Sequence, residues 1–169
     1  ETELYYRPDA SMTRQEFIVA MMRYLGTDLS AYASVQLPFD DSGSIASWAK
    51  SAMRAAYQLG YLTGSKTNGK LLAKPGSTIS RQEAMTILSR TKDFADADLN
   101  VLSAFSDSGK IADWARTALA QMTQQKIISG SKGKLNPTGK VTRAEVAKML
   151  YMLSELSLIH ISEPTRDLR

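Results

Sequence analysis

One short string occurs three times in this chain of 169 residues: Thr13-Arg14-Gln15-Glu16, Ser80-Arg81-Gln82-Glu83 and Thr142-Arg143-Ala144-Glu145. Each copy is followed by an apolar stretch with helical spacing. The copies begin 67 and then 62 residues apart, so the repeating unit is a module of about 65 residues rather than a short solenoid turn. A hydroxyl residue followed three positions later by Glu is a capping box, in which the hydroxyl accepts the N3 backbone N–H and the carboxylate reaches back to the N-cap N–H. Thr13/Glu16, Ser80/Glu83 and Thr142/Glu145 therefore each start a helix. Met12, Ile79 and Val141 precede the caps, and Phe17, Ala84 and Val146 occupy N4, which is the spacing of a hydrophobic staple.

Capping needs no guanidinium at N1, where Arg14, Arg81 and Arg143 stand and where the helix dipole mildly disfavours a cation. Two readings stay open. The arginines form surface salt bridges or lay their stems on a neighbouring loop, or they serve an anion site. In the second case two N–H groups of the first turn remain free after capping, and the Arg fork adds a bidentate receptor for carboxylate or phosphate.

A second element recurs 66 residues apart: Phe39-Asp40-Asp41-Ser42-Gly43-Ser44-Ile45-Ala46-Ser47-Trp48-Ala49 and Phe105-Ser106-Asp107-Ser108-Gly109-Lys110-Ile111-Ala112-Asp113-Trp114-Ala115. Ala49, Ala52, Met53, Ala56 and Leu59 follow helical spacing after Trp48, as Ala115, Ala118, Leu119 and Met122 do after Trp114. The first of these amphipathic helices is expected to stop at Gly60, a suitable C′ residue, whereas Lys126 at the matching place requires a different stop. Loops rich in Lys, Gly, Ser and Asn then run to Pro75 and Pro137 and lead into the next capping box. Asn68-Gly69 suits a tight turn, allowing a short hairpin in the first loop. Trp48 and Trp114 read equally well as core anchors or as exposed faces for a ligand. Asp40-Asp41 and Asp107 precede helices in turn sequences and are assigned Asx-turn and capping roles.

Tyr6-Arg7-Pro8 aligns with Ala73-Lys74-Pro75 and Leu135-Asn136-Pro137, yet nothing upstream supplies the Phe/Trp helix. The chain thus reads as a fragment whose N-terminus lies further back. At the other end, residues 156–166 look like the in-frame translation of a transposase-type sequencing adapter, and 156–169 are set aside as a non-native tail.

The succession F-x-D, W-A, the Gly60 to Gly64 step, x-x-P and [ST]-R-x-E resembles the S-layer homology (SLH) domain. On this resemblance residues 1–26 are the second half of a first repeat, 39–92 a second repeat and 105–155 a third. It implies an all-α fold in which helix-loop-helix repeats form a pseudo-threefold bundle with grooves between neighbours. It further implies non-covalent anchoring of a bacterial surface protein to the cell wall, through a pyruvylated secondary polysaccharide associated with peptidoglycan. Arg14, Arg81 and Arg143 would then meet the pyruvyl carboxylate, with Trp48, Trp114, Gly60, Gly64 and Gly130 shaping the grooves. Expected localisation is the outer cell surface or S-layer. A structural repeat that assembles with other proteins, without contacting glycan, is the alternative.

Composition narrows the rest. With 43% hydrophobic residues the chain can build one sizeable core. It has no Cys and a single His, His160, which falls in the adapter-like tail. Without native His or Cys, nucleophilic triads and thiolate metal sites lose their residues, so neither an enzyme nor a cofactor is expected. Asp-Asp-Ser-Gly-Ser offers too few oxygen ligands for a calcium loop. The net charge of +4 suits an anionic polymer. The basic residues are dispersed rather than gathered on one recognition helix, which argues against nucleic acid. No apolar run is long enough for membrane insertion.

Overall fold

All three capping strings start helices. The computed structural model describes the backbone of residues 7–162 and the side chains of residues 7–156. Helices α1 (Arg14–Leu25), α3 (Arg81–Ser89) and α5 (Arg143–Ser162) begin directly after Thr13, Ser80 and Thr142. The Glu16, Glu83 and Glu145 amides donate to the cap hydroxyls at 3.3, 3.3 and 3.2 Å. The reciprocal half of the capping box forms only at α1, where the Thr13 N–H donates to Glu16 Oε1 at 3.2 Å. At α5 it is the Thr142 hydroxyl that donates to Glu145 Oε1, at 3.2 Å.

The staple residues do more than steady their own helices. Ile79 N–H donates to Met12 C=O at 3.0 Å, Val141 N–H to Ile79 C=O at 3.1 Å, and Met12 N–H to Val141 C=O at 3.3 Å. This triangle of backbone hydrogen bonds marks a pseudo-threefold axis. The three side chains are buried around it, and Phe17, Ala84 and Val146 close the layer beneath. A single hydrophobic core results, running from Met12 to Leu153.

The helices following the two tryptophans are α2 (Lys50–Gln58) and α4 (Arg116–Gln124), each preceded by a 3-10 turn that carries the Trp. Helix α2 packs on α1, and α4 packs on α3. The first helix of each repeat therefore rests against the second helix of the repeat before it, and the modules interlock rather than stack. Buried Ala49, Ala52, Met53 and Ala56 form the inner face of α2, but Leu59 turns outward, against the helical pattern. Two further 3-10 turns, Leu29–Tyr32 and Leu99–Ala104, are capped by Asp28 and Asp98 and cover α2 and α4.

Helix α2 ends as expected at Gly60 (φ 82°), with Tyr61 N–H bonded to Ala56 C=O and Gly60 N–H to Tyr57 C=O. That is a Schellman motif. The different stop expected at Lys126 does not occur: Lys126 adopts φ 58°, and the same two bonds recur at Ile127 and Lys126. The motif's hydrogen bonds outweigh the side-chain strain of a left-handed lysine. The hairpin expected at Asn68-Gly69 is present, as β1 (Ser65–Thr67) antiparallel to β2 (Lys70–Leu72). Its third-repeat counterpart is a bridge between Ser131 and Lys134 around Lys132-Gly133.

Helix α5 continues past residue 156 into the adapter-like segment and includes His160 in its backbone; from Glu163 on, that segment lies outside the described residues, as do Glu1–Tyr6.

Candidate functional site: grooves between the modules

The first turn of each capped helix points at the loop of the next module. Arg14 N–H donates to Ser77 C=O at 2.8 Å and Gln15 N–H to Pro75 C=O at 3.0 Å. Arg81 and Gln82 make the same bonds to Gly139 and Pro137, at 2.8 and 2.9 Å. Arg143 and Ala144 close the circle on Ala10 and Pro8, both at 3.0 Å. The two N–H groups expected to be free are therefore all taken, because donors orphaned at a helix start are satisfied by backbone carbonyls when these lie within reach. The helix starts are not open anion sites.

The arginine side chains follow the same circle. Arg14 pairs with Glu83 through Nη1. Arg81 grips both oxygens of Glu145 through Nε and Nη2, each at 2.5 Å. Arg143 pairs with Glu16 through Nη2. Each guanidinium thus meets the capping Glu of the module ahead, and the salt-bridge reading of the repeated arginine holds. The pairs are partly exposed, with side-chain accessibilities of 17–36%. Coulomb attraction there is stronger than on an open surface but remains solvent-screened.

Two grooves lie beside these pairs. The first, about 460 Å³, is lined by Arg14, the Leu62–Ser65 loop, Lys74, Glu83, Arg90 and Trp114, so all three modules contribute to it. The second, about 560 Å³, is lined by Arg81, Lys126–Ser131, Lys134–Asn136, Glu145 and the α5 residues Lys148, Met149 and Met152, with no tryptophan. Either volume suits a sugar-sized ligand. Of the expected groove residues, Gly64 and Gly130 are brought together with Arg14 and Arg81 respectively, while Arg143, Trp48 and Gly60 line neither groove. The core-anchor reading of the tryptophans does not survive: Trp48 is 58% and Trp114 59% exposed. Their turns sit on α1 and α3 in equivalent fashion.

Groove walls are held by residues whose roles the motif reading missed. Asp41 accepts the Ala73 and Lys74 N–H groups, both at 2.8 Å, and Asp107 accepts those of Leu135 and Asn136 at 3.0 and 2.8 Å. Neither makes a side-chain cap bond to the turn it precedes, so the capping and Asx-turn assignment is corrected: these carboxylates clamp the loop. Asp40 likewise accepts the Leu71 N–H at 2.7 Å. The clamp fixes Lys74 and Asn136 at φ 49° and 48°, directly before Pro75 and Pro137. Burial alone would raise the Asp107 pKa, but the Leu135 and Asn136 amides, with Lys110 nearby, outweigh it and hold the carboxyl below its usual value. Gln15 and Gln82 accept the Ala46 and Ala112 N–H groups at 3.0 and 2.9 Å, docking each tryptophan turn onto the preceding module. Their recurrence in two of the three strings was a visible signal.

Gly64 and Gly130 are required by space as well as conformation. Both have positive φ, and a Cβ at Gly64 would lie 2.5 Å from the Phe39 ring, while one at Gly130 would lie 2.6 Å from Lys134 C=O. The Phe of the F-x-D element is thus seated against the groove floor.

Repeated capping strings, Trp turns and intermodule grooves arranged about a threefold axis define a class of tandem-repeat module. The S-layer homology domain family model matches residues 38–85 and 104–147, and the chain belongs to that family. It is similar to an amylopullulanase of Thermoanaerobacterium thermosulfurigenes (31% identical over 161 residues, 92% of this chain and 8% of that protein). It is also similar to the exoglucanase XynX of Acetivibrio thermocellus (30% over 160 residues, 92% and 14%) and to a surface-layer 125 kDa protein of Lysinibacillus sphaericus (32% over 164 residues, 91% and 13%). The chain therefore spans less than a sixth of the length of each of these relatives. SLH modules anchor surface proteins to the cell wall. No helix among the described residues is long and apolar enough to cross a membrane.

Proposed function

We propose that this region anchors an extracellular protein non-covalently to a pyruvylated secondary cell-wall polysaccharide associated with peptidoglycan. The observation that carries the reading is Trp114, 59% exposed, in one groove with Arg14. An aromatic face offers contact to the apolar side of a sugar ring, and a guanidinium offers a planar fork to a ketal carboxylate. Arg14 spends only Nη1 on Glu83, which leaves N–H groups for a second acceptor. Arg81 stands at the equivalent junction in a groove without a tryptophan, while Arg143 and Trp48 line neither groove. Residues 1–26, 39–92 and 105–155 are taken as the half repeat and two full repeats.

The relatives support a role separate from catalysis, since a similar region occurs in two carbohydrate-active enzymes and a surface-layer protein. Cosedimentation with purified sacculi tests the proposal. The chain should pellet with native walls, not with walls stripped of pyruvate, and Trp114→Ala should weaken pelleting without unfolding. Equal pelleting with both wall preparations would overturn it.

A further inference from the structure

Besides the tryptophan, the two grooves differ at one repeat-equivalent position. Ten residues after the cap, the modules carry Arg23, Arg90 and Met152. Arg90, the C-cap of α3, lines the first groove, and Met152 lines the second. Of the three guanidiniums lining the two grooves, Arg14 and Arg81 are engaged by Glu83 and Glu145. Arg90 meets no carboxylate among the described residues; its Nη1 donates to Tyr61 C=O at 3.0 Å. That single bond tethers the side chain and leaves the Nε/Nη2 edge unspent, the edge with which Arg81 takes both oxygens of Glu145. A tethered fork loses less rotamer freedom on binding than a loose one.

We propose that Arg90 completes the carboxylate receptor of the first groove, joining the unspent N–H groups of Arg14 beside Trp114, and that this groove alone discriminates a sugar-borne carboxylate. This rests on the wall-anchoring reading and says which groove and which residue carry it. Total charge does not choose between the grooves. The second has Lys126, Lys134 and Lys148 beside Arg81, against Arg14, Lys74 and Arg90 in the first. Ammonium groups are hydrated point charges without a planar edge, so the second groove attracts any polyanion diffusely and in a salt-sensitive way.

The test uses the Trp48→Phe chain, in which Trp114 is the sole tryptophan and its emission reports the first groove. The probe is a pyruvyl-ketal monosaccharide glycoside, compared with the same sugar lacking pyruvate. The pyruvylated sugar should change Trp114 emission saturably and bind at least about tenfold more tightly than the plain sugar. Arg90→Met should lose about tenfold or more, the cost of one charge-assisted contact. Arg90→Lys should fall between, since it keeps the charge and loses the edge. Thermal melts establish that both variants fold, and if Arg90→Met does not, Arg90→Lys decides. Parental affinity in the decisive variant overturns the proposal. If that variant also pellets with native walls like the parent, only the Arg90 assignment falls; if the parent fails to pellet, the wall-anchoring reading falls.

Discussion

Arg143, at the start of the last helix, pairs with Glu16 in the first turn of the first helix, 127 residues earlier in the chain. The pair closes a circle that Arg14–Glu83 and Arg81–Glu145 begin. Glu16 also accepts the Thr13 N–H, so one carboxylate serves helix initiation and ring closure together.

Glu16→Ala is therefore expected to cost more than Arg143→Ala, by about 1 kcal/mol, since it removes a cap acceptor as well as an ion pair. A double-mutant cycle on the two positions, read by urea denaturation, should give a coupling of about 0.5–1 kcal/mol that shrinks in high salt. A coupling of zero at low salt would show that the pair contributes nothing to closure.

Ile79 sits fully buried on the threefold axis, with its backbone bonded to Met12 and Val141. Ile79→Ala should destabilise by about 2–4 kcal/mol, through lost transfer energy and a cavity shared by three modules. Because the modules interlock, unfolding should remain one cooperative transition, with fluorescence and circular dichroism coinciding. Separate transitions would contradict the interlocked architecture.

Lys126 and Gly130 move stability in opposite directions. Lys126→Gly relieves a left-handed lysine in a Schellman motif, and a gain of about 0.5–1 kcal/mol is expected after the extra unfolded-state entropy of glycine is subtracted. Gly130→Ala imposes strain at φ 73° and drives Cβ against Lys134 C=O, so a loss exceeding about 2 kcal/mol should appear as a lower Tm.

Asp107 links stability to acid. Its folded pKa lies below the ordinary aspartate value, so the stabilisation is present above that ordinary value and is lost as pH falls through the lower folded pKa. Asp107→Asn should flatten the acid limb of the stability curve and cost about 1–3 kcal/mol at neutral pH, by leaving a buried backbone N–H without its acceptor. An unchanged acid limb would remove Asp107 from the set of linked groups.

Much of this was legible from repetition. Hydroxyl and Glu spacing located three helix starts because capping is local, and Asn68-Gly69 located a hairpin for the same reason. The destination of each arginine was not legible, since its partner lies 64 to 127 residues away and emerges only when the circle closes. The Asp41 and Asp107 clamps share that difficulty: a local turn motif explained them adequately until the Ala73–Lys74 and Leu135–Asn136 amides were brought within reach. Trp exposure was ambiguous in sequence because the same helical spacing serves a residue on either side of the boundary. Lys126 shows the converse, a poor residue for αL overruled by the backbone bonds around it.

The backbone triangle of Met12, Ile79 and Val141 works as a counting rule. Each strand segment gives one N–H and takes one C=O, so three segments exhaust every donor and acceptor in the triangle. A fourth module has no vacancy to occupy. A further module would have to start a ring of its own, with a second triangle of backbone bonds, rather than widen this one.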